Sequence, residues 1–411
     1  MNTGLTRVLI VAENASTRLG GEAILPYHYF RLLRERGVDA FLIVHDRCRQ
    51  ELEALFADDL GHIYFVSDQL LQKVFYRMGR VLPRRIDEAT LGLANNMLTQ
   101  MAQRRAIRSL LREGTVIHQP IPVSPRFPSL LGGLSAPLVA GPLNGGMEYP
   151  SAFRREEGNL NRIAIAIGRK FTDAMNSLFT GKRKAAVVLV ANRRTRDALP
   201  SRLRGRVVEL PENGVDTTHW QGADYKAGQG ACTRFVFMGR LVDWKALDIV
   251  LDALKSVNGA ELDVIGDGPQ RSEWERHALK AKVSDRVRFH GWLRQDECAV
   301  FLRGSCALLL PSIYECGGAV VLEAMAMSLP VIATAWGGPL DYLDPSCGIL
   351  LKPESRDALV AGFADGMTRL MASPEMRAEM GAAGRKRLLA HFDWSKKIDT
   401  MLDIYASTLS N

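Results

Sequence analysis

The sequence predicts an α/β protein built from two doubly wound domains. Three observations carry that prediction. The chain has 411 residues, too many for one ordinary core. Apolar runs such as Arg7-Val8-Leu9-Ile10-Val11-Ala12 and Arg234-Phe235-Val236-Phe237-Met238 are unbroken, as in parallel strands covered on both faces. Helix-length segments alternate with these runs, the order of a βαβ series.

The elements follow in chain order. A strand over 7–12 leads through Gly20-Gly21 to a helix over 22–36 and a strand over 38–44. Further strands are predicted at 61–66, 115–118, 137–140 and 185–191, with long helical segments between them, notably 87–113. After an apolar run at 207–210 a second series begins. Its strands are 234–238, 261–265, 287–290, 306–310 and 331–334; its helices are 245–256, 270–282, 295–303 and 319–327. The Pro- and Gly-rich stretch from Pro211 to Gly230 marks the boundary. The expected domains are therefore 1–210 and 211–391, with a last helix within 392–411 packing back on the first. The two sheets are expected to face each other across a cleft, with ligands outside the carboxyl ends of the strands.

Composition is that of a globular protein, 47% hydrophobic and 24% charged. No apolar run approaches the ~20 residues of a membrane-crossing helix. The start, Met1 to Arg7, lacks a signal-peptide pattern. Six cysteines without a Cys-x-x-Cys pair argue against a zinc site or a disulfide framework. A cytoplasmic protein is expected. Residues 151–206 hold 14 Arg and Lys against four acids, a net +10, whereas the whole chain carries +8. A phosphate-bearing substrate or an anionic membrane surface would explain that block, the latter placing the protein peripherally at the inner face of the cell membrane. Within it, Asn159 to Gly181 mixes apolar and basic residues, as does a core-facing helix or a segment lying on anionic lipid.

The chemistry-bearing residues gather after predicted strands. Glu315 and Glu323 stand eight positions apart, with Gly317 and Gly318 at the join between a strand and a helix. Such a join leaves unpaired amides beside two fixed carboxylates, a place for a phosphate and for sugar hydroxyls. Gly239 ends another strand and brings Arg240 and Lys245 to its mouth, where paired cations could neutralise a leaving diphosphate. Gly266-Asp267-Gly268-Pro269 reads first as a turn. Gly20-Gly21 resembles a phosphate-cradling turn but lacks the Gly-x-Gly-x-x-Gly pattern. His118 ends a strand of the first domain, and Gly141-Pro142-Leu143-Asn144-Gly145-Gly146 makes a glycine-rich loop after the next. Taken singly, each has a bland reading: a surface acid, a solvated pair, a structural histidine, a turn.

Together, Gly239-Arg240 with Lys245, Gly266-Asp267-Gly268, Phe289-His290-Gly291 and Glu315-x7-Glu323 resemble the family-4 retaining glycosyltransferases, of glycosyltransferase group 1, with the GT-B fold of two Rossmann-like domains. Glu212-Asn213-Gly214-Val215-Asp216 and the run from Pro330 to Gly338 add to the resemblance, which is densest over 234–340. The resemblance implies that Arg240, Lys245 and Glu315 are catalytic, the cations on the donor diphosphate and Glu315 on the donor sugar. Donor-binding residues would be Gly20, Gly21, Gly239, Gly266, Gly291, Trp292, Leu293, Gly317, Gly318, Ala319, Val320 and Glu323, the last on the ribose hydroxyls. His118, Asn144 and Gly145 would bind the acceptor. Many members carry His-x-His where this chain has His118-Gln119-Pro120, so Pro120 matches the second histidine.

The implied activity is metal-independent transfer of a hexosyl unit, with retention, from a nucleotide-diphosphate sugar to an acceptor hydroxyl, in cell-envelope or exopolysaccharide assembly. No cofactor is expected beyond that co-substrate, and no metal ligand cluster is visible. The expected partners are the nucleotide sugar, a sugar or lipid-linked acceptor and an anionic membrane surface, not nucleic acid. Two rivals remain: a nucleotide-sugar epimerase of the same fold, which needs no acceptor, and a non-enzymatic basic nucleic-acid binder, for which the basic block lacks interleaved aromatics.

Overall fold

The computed structural model describes residues 4–19, 21–68, 70–79, 91–154, 178–200, 202–218, 220 and 232–410. Most of the mixed apolar and basic segment 159–181 lies outside them. The chain divides into two compact units. The first comprises Met1–Gly146, Leu160–Glu212 and Ile398–Asn411; the second comprises Met147–Asn159 and Asn213–Lys397.

Unit 1 holds seven parallel strands: β1 (Arg7–Val11), β2 (Ala40–His45), β3 (Ile63–Val66), β4 (Thr115–Gln119), β5 (Leu138–Leu143), β6 (Val187–Val190) and β7 (Arg206–Glu209). Their order is β3-β2-β1-β4-β5-β6-β7. The apolar runs become strands because both faces are covered: β4, β5 and β6 are buried at every residue. Direction of winding reverses between β1 and β4, where Val8 pairs with Ala40 on one side and Val116 on the other.

Unit 2 holds six parallel strands: β8 (Arg234–Met238), β9 (Glu261–Ile265), β10 (Val287–Gly291), β11 (Leu308–Leu310), β12 (Val331–Thr334) and β13 (Gly348–Leu351), in the order β10-β9-β8-β11-β12-β13. Its reversal lies between β8 and β11. Apolar clusters cover both faces, one built on Phe235, Phe237, Leu251 and Phe363, the other on Leu308, Leu310, Val321 and Met325. Two parallel sheets with helices, each with a reversal point, are the expected pair of Rossmann-like domains.

The structure corrects several expectations. Residues 147–154, assigned from sequence to the first domain, group with unit 2. The final helix, Trp394–Leu409, begins in unit 2, and its residues from Ile398 belong to unit 1. Strand β13 and the helices Arg356–Ala372 and Pro374–His391 were not read from the sequence. Cys232 and Cys306 form a disulfide with Cα atoms 5.7 Å apart, although their 74-residue separation offers no sequence signal of pairing. No helix among the described residues is long and apolar enough to cross a membrane.

Candidate active site

The reversal point of the second sheet assembles the central residues. After β8, Gly239 adopts φ +150° and donates its amide to Ile265 O at 2.9 Å. The chain then turns through a short 3-10 segment, Asp243–Lys245, whose last amide donates to Val242 O at 2.9 Å. After β11 the chain passes Pro311 and the buried Ser312, and Ile313 donates its amide to Trp244 O at 2.9 Å. That backbone bond joins the two loops one residue from Lys245 and two from Glu315. The Lys245 ammonium donates to the Glu315 carboxylate, and each side chain is only 12% exposed. Neighbouring strands of opposite winding direct their following loops apart, and this is where a ligand crevice opens.

Glycines set the rest of the loop. Gly318 caps the helix Ala319–Ala326 with φ +82° and ψ +51°, a left-handed conformation that a Cβ resists. Its Cα lies so near Glu315 that a Cβ there would stand 3.1 Å from Glu315 Cγ. The first amides of that helix have no intrahelical acceptor and sit beside the carboxylate, with the positive end of the helix dipole. Gly338 donates its amide to Glu315 O at 2.7 Å. A Cβ on Gly338 would lie 1.6 Å from Gly317 O, so the β11 and β12 loops touch backbone to backbone.

Glu323 lies in the second turn of the same helix, partly accessible, and its carboxylate has no hydrogen bond or ion pair to any described residue. Burial among Val321, Leu322, Ala324 and Met325 pushes its carboxyl up to about 7. Cys298 lies near it: burial first, then the Glu323 charge, pushes that thiol up to about 12. Farther along the edge, Gly266 donates its amide to Gly291 O at 2.7 Å, closing the ends of β9 and β10. Gly291 is buried, Leu293 is partly buried, and Trp292 is exposed. Arg240 is exposed, and its guanidinium has no partner among the described residues.

The structure thus joins Lys245, Glu315, Gly317, Gly318, Ala319 and Val320 in one loop cluster, with Gly239, Gly266 and Gly291 aligned at adjacent strand ends. Gly20 lies outside the described residues; Gly21 is exposed at the start of the first helix of unit 1. His118 is corrected. It is fully buried, its Nε2–H donates to Gly141 O at 2.7 Å, and its Nδ1 accepts from the Tyr405 hydroxyl at 2.8 Å. Both nitrogens are used, the edge of Tyr29 closes over the ring, and no acceptor can reach it. Asn144 is also buried, facing the Asn192 and Thr195 side chains, while Gly145 donates its amide to Thr195 Oγ1 at 3.1 Å. This pair shapes a loop and leaves Asn144 little surface for a ligand.

Sequence reasoning missed three contributors. Glu51 accepts from Ser16 Oγ at 2.5 Å, Thr17 N at 2.8 Å and Thr17 Oγ1 at 2.7 Å, pinning the loop that leads to Gly21. Glu22 accepts from Val123 N at 2.8 Å, and the buried Lys182 donates to Ser124 O at 2.6 Å. These residues belong to no motif, and only the fold reveals their partners. Among the described residues no group of three or more His, Cys, Asp or Glu could hold a metal ion.

Residues 232–387 match the family model for glycosyl transferases group 1. The lipopolysaccharide core biosynthesis glycosyltransferase LpsE of Rhizobium meliloti is 31% identical over 171 residues, 41% of this chain and 48% of that protein. Glycogen synthase of Mycobacterium tuberculosis is 29% identical over 203 residues, 48% of this chain and 48% of that protein. The chain spans about half the length of these curated relatives. Among solved structures, Anabaena HepE in complex with UDP and glucose aligns with TM-score 0.63 at 15% identity, covering 98% of this chain and all 100% of that one. WaaG, a glycosyltransferase involved in lipopolysaccharide biosynthesis, aligns with TM-score 0.64 at 15% identity over 97% and 99% of the two chains. The likeness to glycosyl transferases group 1 thus lies in residues 232–387, and the chain as a whole has the GT-B fold.

Proposed function

We propose that this protein transfers a hexosyl unit from a nucleotide-diphosphate sugar to an acceptor hydroxyl, with retention and without a metal. The observation that carries the reading is the Lys245–Glu315 pair at the reversal point of the second sheet, beside the glycine-capped start of the helix Ala319–Ala326. A donor seated there would place its diphosphate on Lys245, the exposed Arg240 and the first helical amides. Glu315 would then turn to a sugar hydroxyl, and Glu323 would accept from the ribose. Cleavage of the bond from the anomeric carbon to the phosphate oxygen creates an oxocarbenium-like sugar and a charged leaving group. Positioning and charge stabilisation by these residues supply the catalysis. The departing phosphate oxygen takes the acceptor's proton. The relatives named for lipopolysaccharide core synthesis support a role in envelope polysaccharide assembly, and the net +10 of residues 151–206 favours a peripheral place at the inner membrane face.

The test is a thermal-shift screen against UDP-, GDP-, ADP- and TDP-sugars, followed by a transfer assay with the sugar that raises the melting point most. A ligand that binds only the native state must raise it. No shift with any nucleotide sugar would defeat the reading, and sugar conversion without an acceptor would replace it with epimerisation.

A further inference from the structure

Residues 147–154 come from the first half of the sequence, yet they pack inside unit 2. Their anchor is Phe153, 3% exposed within the core cluster that contains Phe235 and Phe237. From there the segment runs against the two loops that enclose Glu315. The Tyr149 ring lies on the Tyr314 ring, with centroids 5.0 Å apart and planes inclined by 31°. Trp336 donates its indole N–H to Glu148 O at 2.8 Å. Met147 is buried, and its sulfur stands 2.6 Å from where a Cβ on Gly337 would lie. A Cβ at the same place would be 2.0 Å from Glu315 O. Met147, Gly337 and the Glu315 backbone are therefore in direct succession. Tyr149 holds Tyr314, the residue before Glu315; Glu148 holds Trp336, the residue before Gly337; and Met147 closes the gap.

We propose that Met147, Glu148 and Tyr149 are positioning residues that hold the Glu315 loop in the geometry in which it meets Lys245 and the donor sugar. The inference rests on the reading of Glu315 as a donor-sugar contact. Its physical basis is that the loop has few restraints of its own. It is an eight-residue connection, 311–318, between a three-residue strand and a helix that Gly318 caps. Its backbone is tied at Ile313 to Trp244 and at Glu315 to Gly338. Ring stacking on Tyr314 and the indole bond to Glu148 add side-chain restraint from outside both loops. Small displacements matter here, because misplacing a reacting group by ~1 Å can cost about 100-fold in rate.

The test uses the full chain and the variants Tyr149→Ala, Tyr149→Phe and Trp336→Phe. Hydrogen exchange without ligand reads loop order directly. Tyr149→Ala should speed amide exchange by about tenfold or more in 312–318 and 336–338, and leave β8 to β10 as protected as in the parent. Trp336→Phe, which removes one N–H, should give a smaller change in the same peptides, and Tyr149→Phe should restore protection. In transfer assays Tyr149→Ala should lower kcat about tenfold or more while the Kd for UDP or GDP, whichever the parent binds, stays within about twofold. Unchanged exchange in 312–318 in both Tyr149→Ala and Trp336→Phe would overturn the proposal. So would exchange raised throughout unit 2 with nucleotide affinity lost, since that marks a purely structural role. If the parent protein transfers no sugar, the function assigned to Glu315 fails, while the exchange result still decides whether the segment holds the loop.

Discussion

Lys245 and Glu315 meet across 70 positions of sequence, each delivered by its own strand at the point where the second sheet changes winding direction. Among the described residues neither side chain has another hydrogen-bond or ion-pair partner, and the loops that carry them are tied by the bonds from Ile313 N to Trp244 O and from Gly338 N to Glu315 O. With both side chains only 12% exposed, each charge satisfies the other. Removing one member strands the other in a poorly solvated place, which is why single and double substitutions should behave differently.

Lys245→Ala should reduce kcat by about 100-fold or more, because a cation on the leaving diphosphate acts chiefly in the transition state. Glu315→Gln should also reduce turnover. In donor-free melting experiments each single variant should lose stability, and the double variant less than the sum, with a coupling of about 1–2 kcal/mol. Additive losses, or near-parental transfer by Lys245→Ala, would remove the pair from the mechanism.

Glu323 gives a pH signature. Burial raises its folded-state carboxyl from the ordinary 4.5 to about 7. The folded protein therefore binds a proton more tightly than the unfolded chain. The stabilisation that follows is fully present below the unfolded value and is lost as pH rises through about 7. Glu323→Gln should flatten that part of the stability curve. The difference should be about 2 kcal/mol, below the full linkage value because the carboxyl retains some contact with water. The same variant should weaken donor binding measured by calorimetry at pH 8. Unaltered donor affinity would end the ribose assignment.

His118 gives the opposite sign. Desolvation holds the imidazole down to about 4, so it is neutral in the folded state. Its contribution is fully present above the unfolded value of 6.5 and is lost as pH falls through about 4. His118→Phe leaves Gly141 O and the Tyr405 hydroxyl without the bonds they now make, and should cost about 1–3 kcal/mol at pH 7. Nucleoside diphosphate affinity should not change, because the site proposed for it lies in unit 2. A normal melting point with impaired acceptor KM would restore His118 to acceptor binding.

The sheets were legible in the sequence wherever apolar runs were long and unbroken, as in β1, β6 and β8. Strand β13 was not, because Gly348-Ile349-Leu350-Leu351 is only four residues long and half-covered. The helices Arg356–Ala372 and Pro374–His391 were missed for a related reason. Glycines dilute their helical signal, and the structure shows why they are there: a Cβ on Gly381 would lie 1.9 Å from Ser328 O. Close packing of helix on loop demanded the residue that hides the helix. At the site, the residues named by a motif could be read, since strand end, glycine and charge recur in fixed order. His118 misled because its position at a strand end is shared by ligand-binding and structural histidines, and only the Tyr405 hydroxyl, 287 positions away, decides between them. Residues 147–149 carry no motif at all, and their place beside Glu315 emerges only from the fold.

The backbone contact between the β11 and β12 loops gives the sharpest steric prediction. A Cβ on Gly338 would stand 1.6 Å from Gly317 O, and neither atom belongs to a flexible side chain that could yield. Gly338→Ala must therefore push the Gly317 carbonyl, and with it the start of the helix Ala319–Ala326, out of place. Overpacking of this kind costs about 1–3 kcal/mol, and displaced amides should weaken nucleotide-sugar binding by about tenfold or more. Gly61→Ala is the matched control, because a Cβ there meets nothing within 4 Å and the residue is not left-handed. It should bind and melt like the parent. Parental donor affinity in Gly338→Ala would mean that the loop contact does not shape the phosphate site, and the helix N-terminus would have to be released from its proposed role.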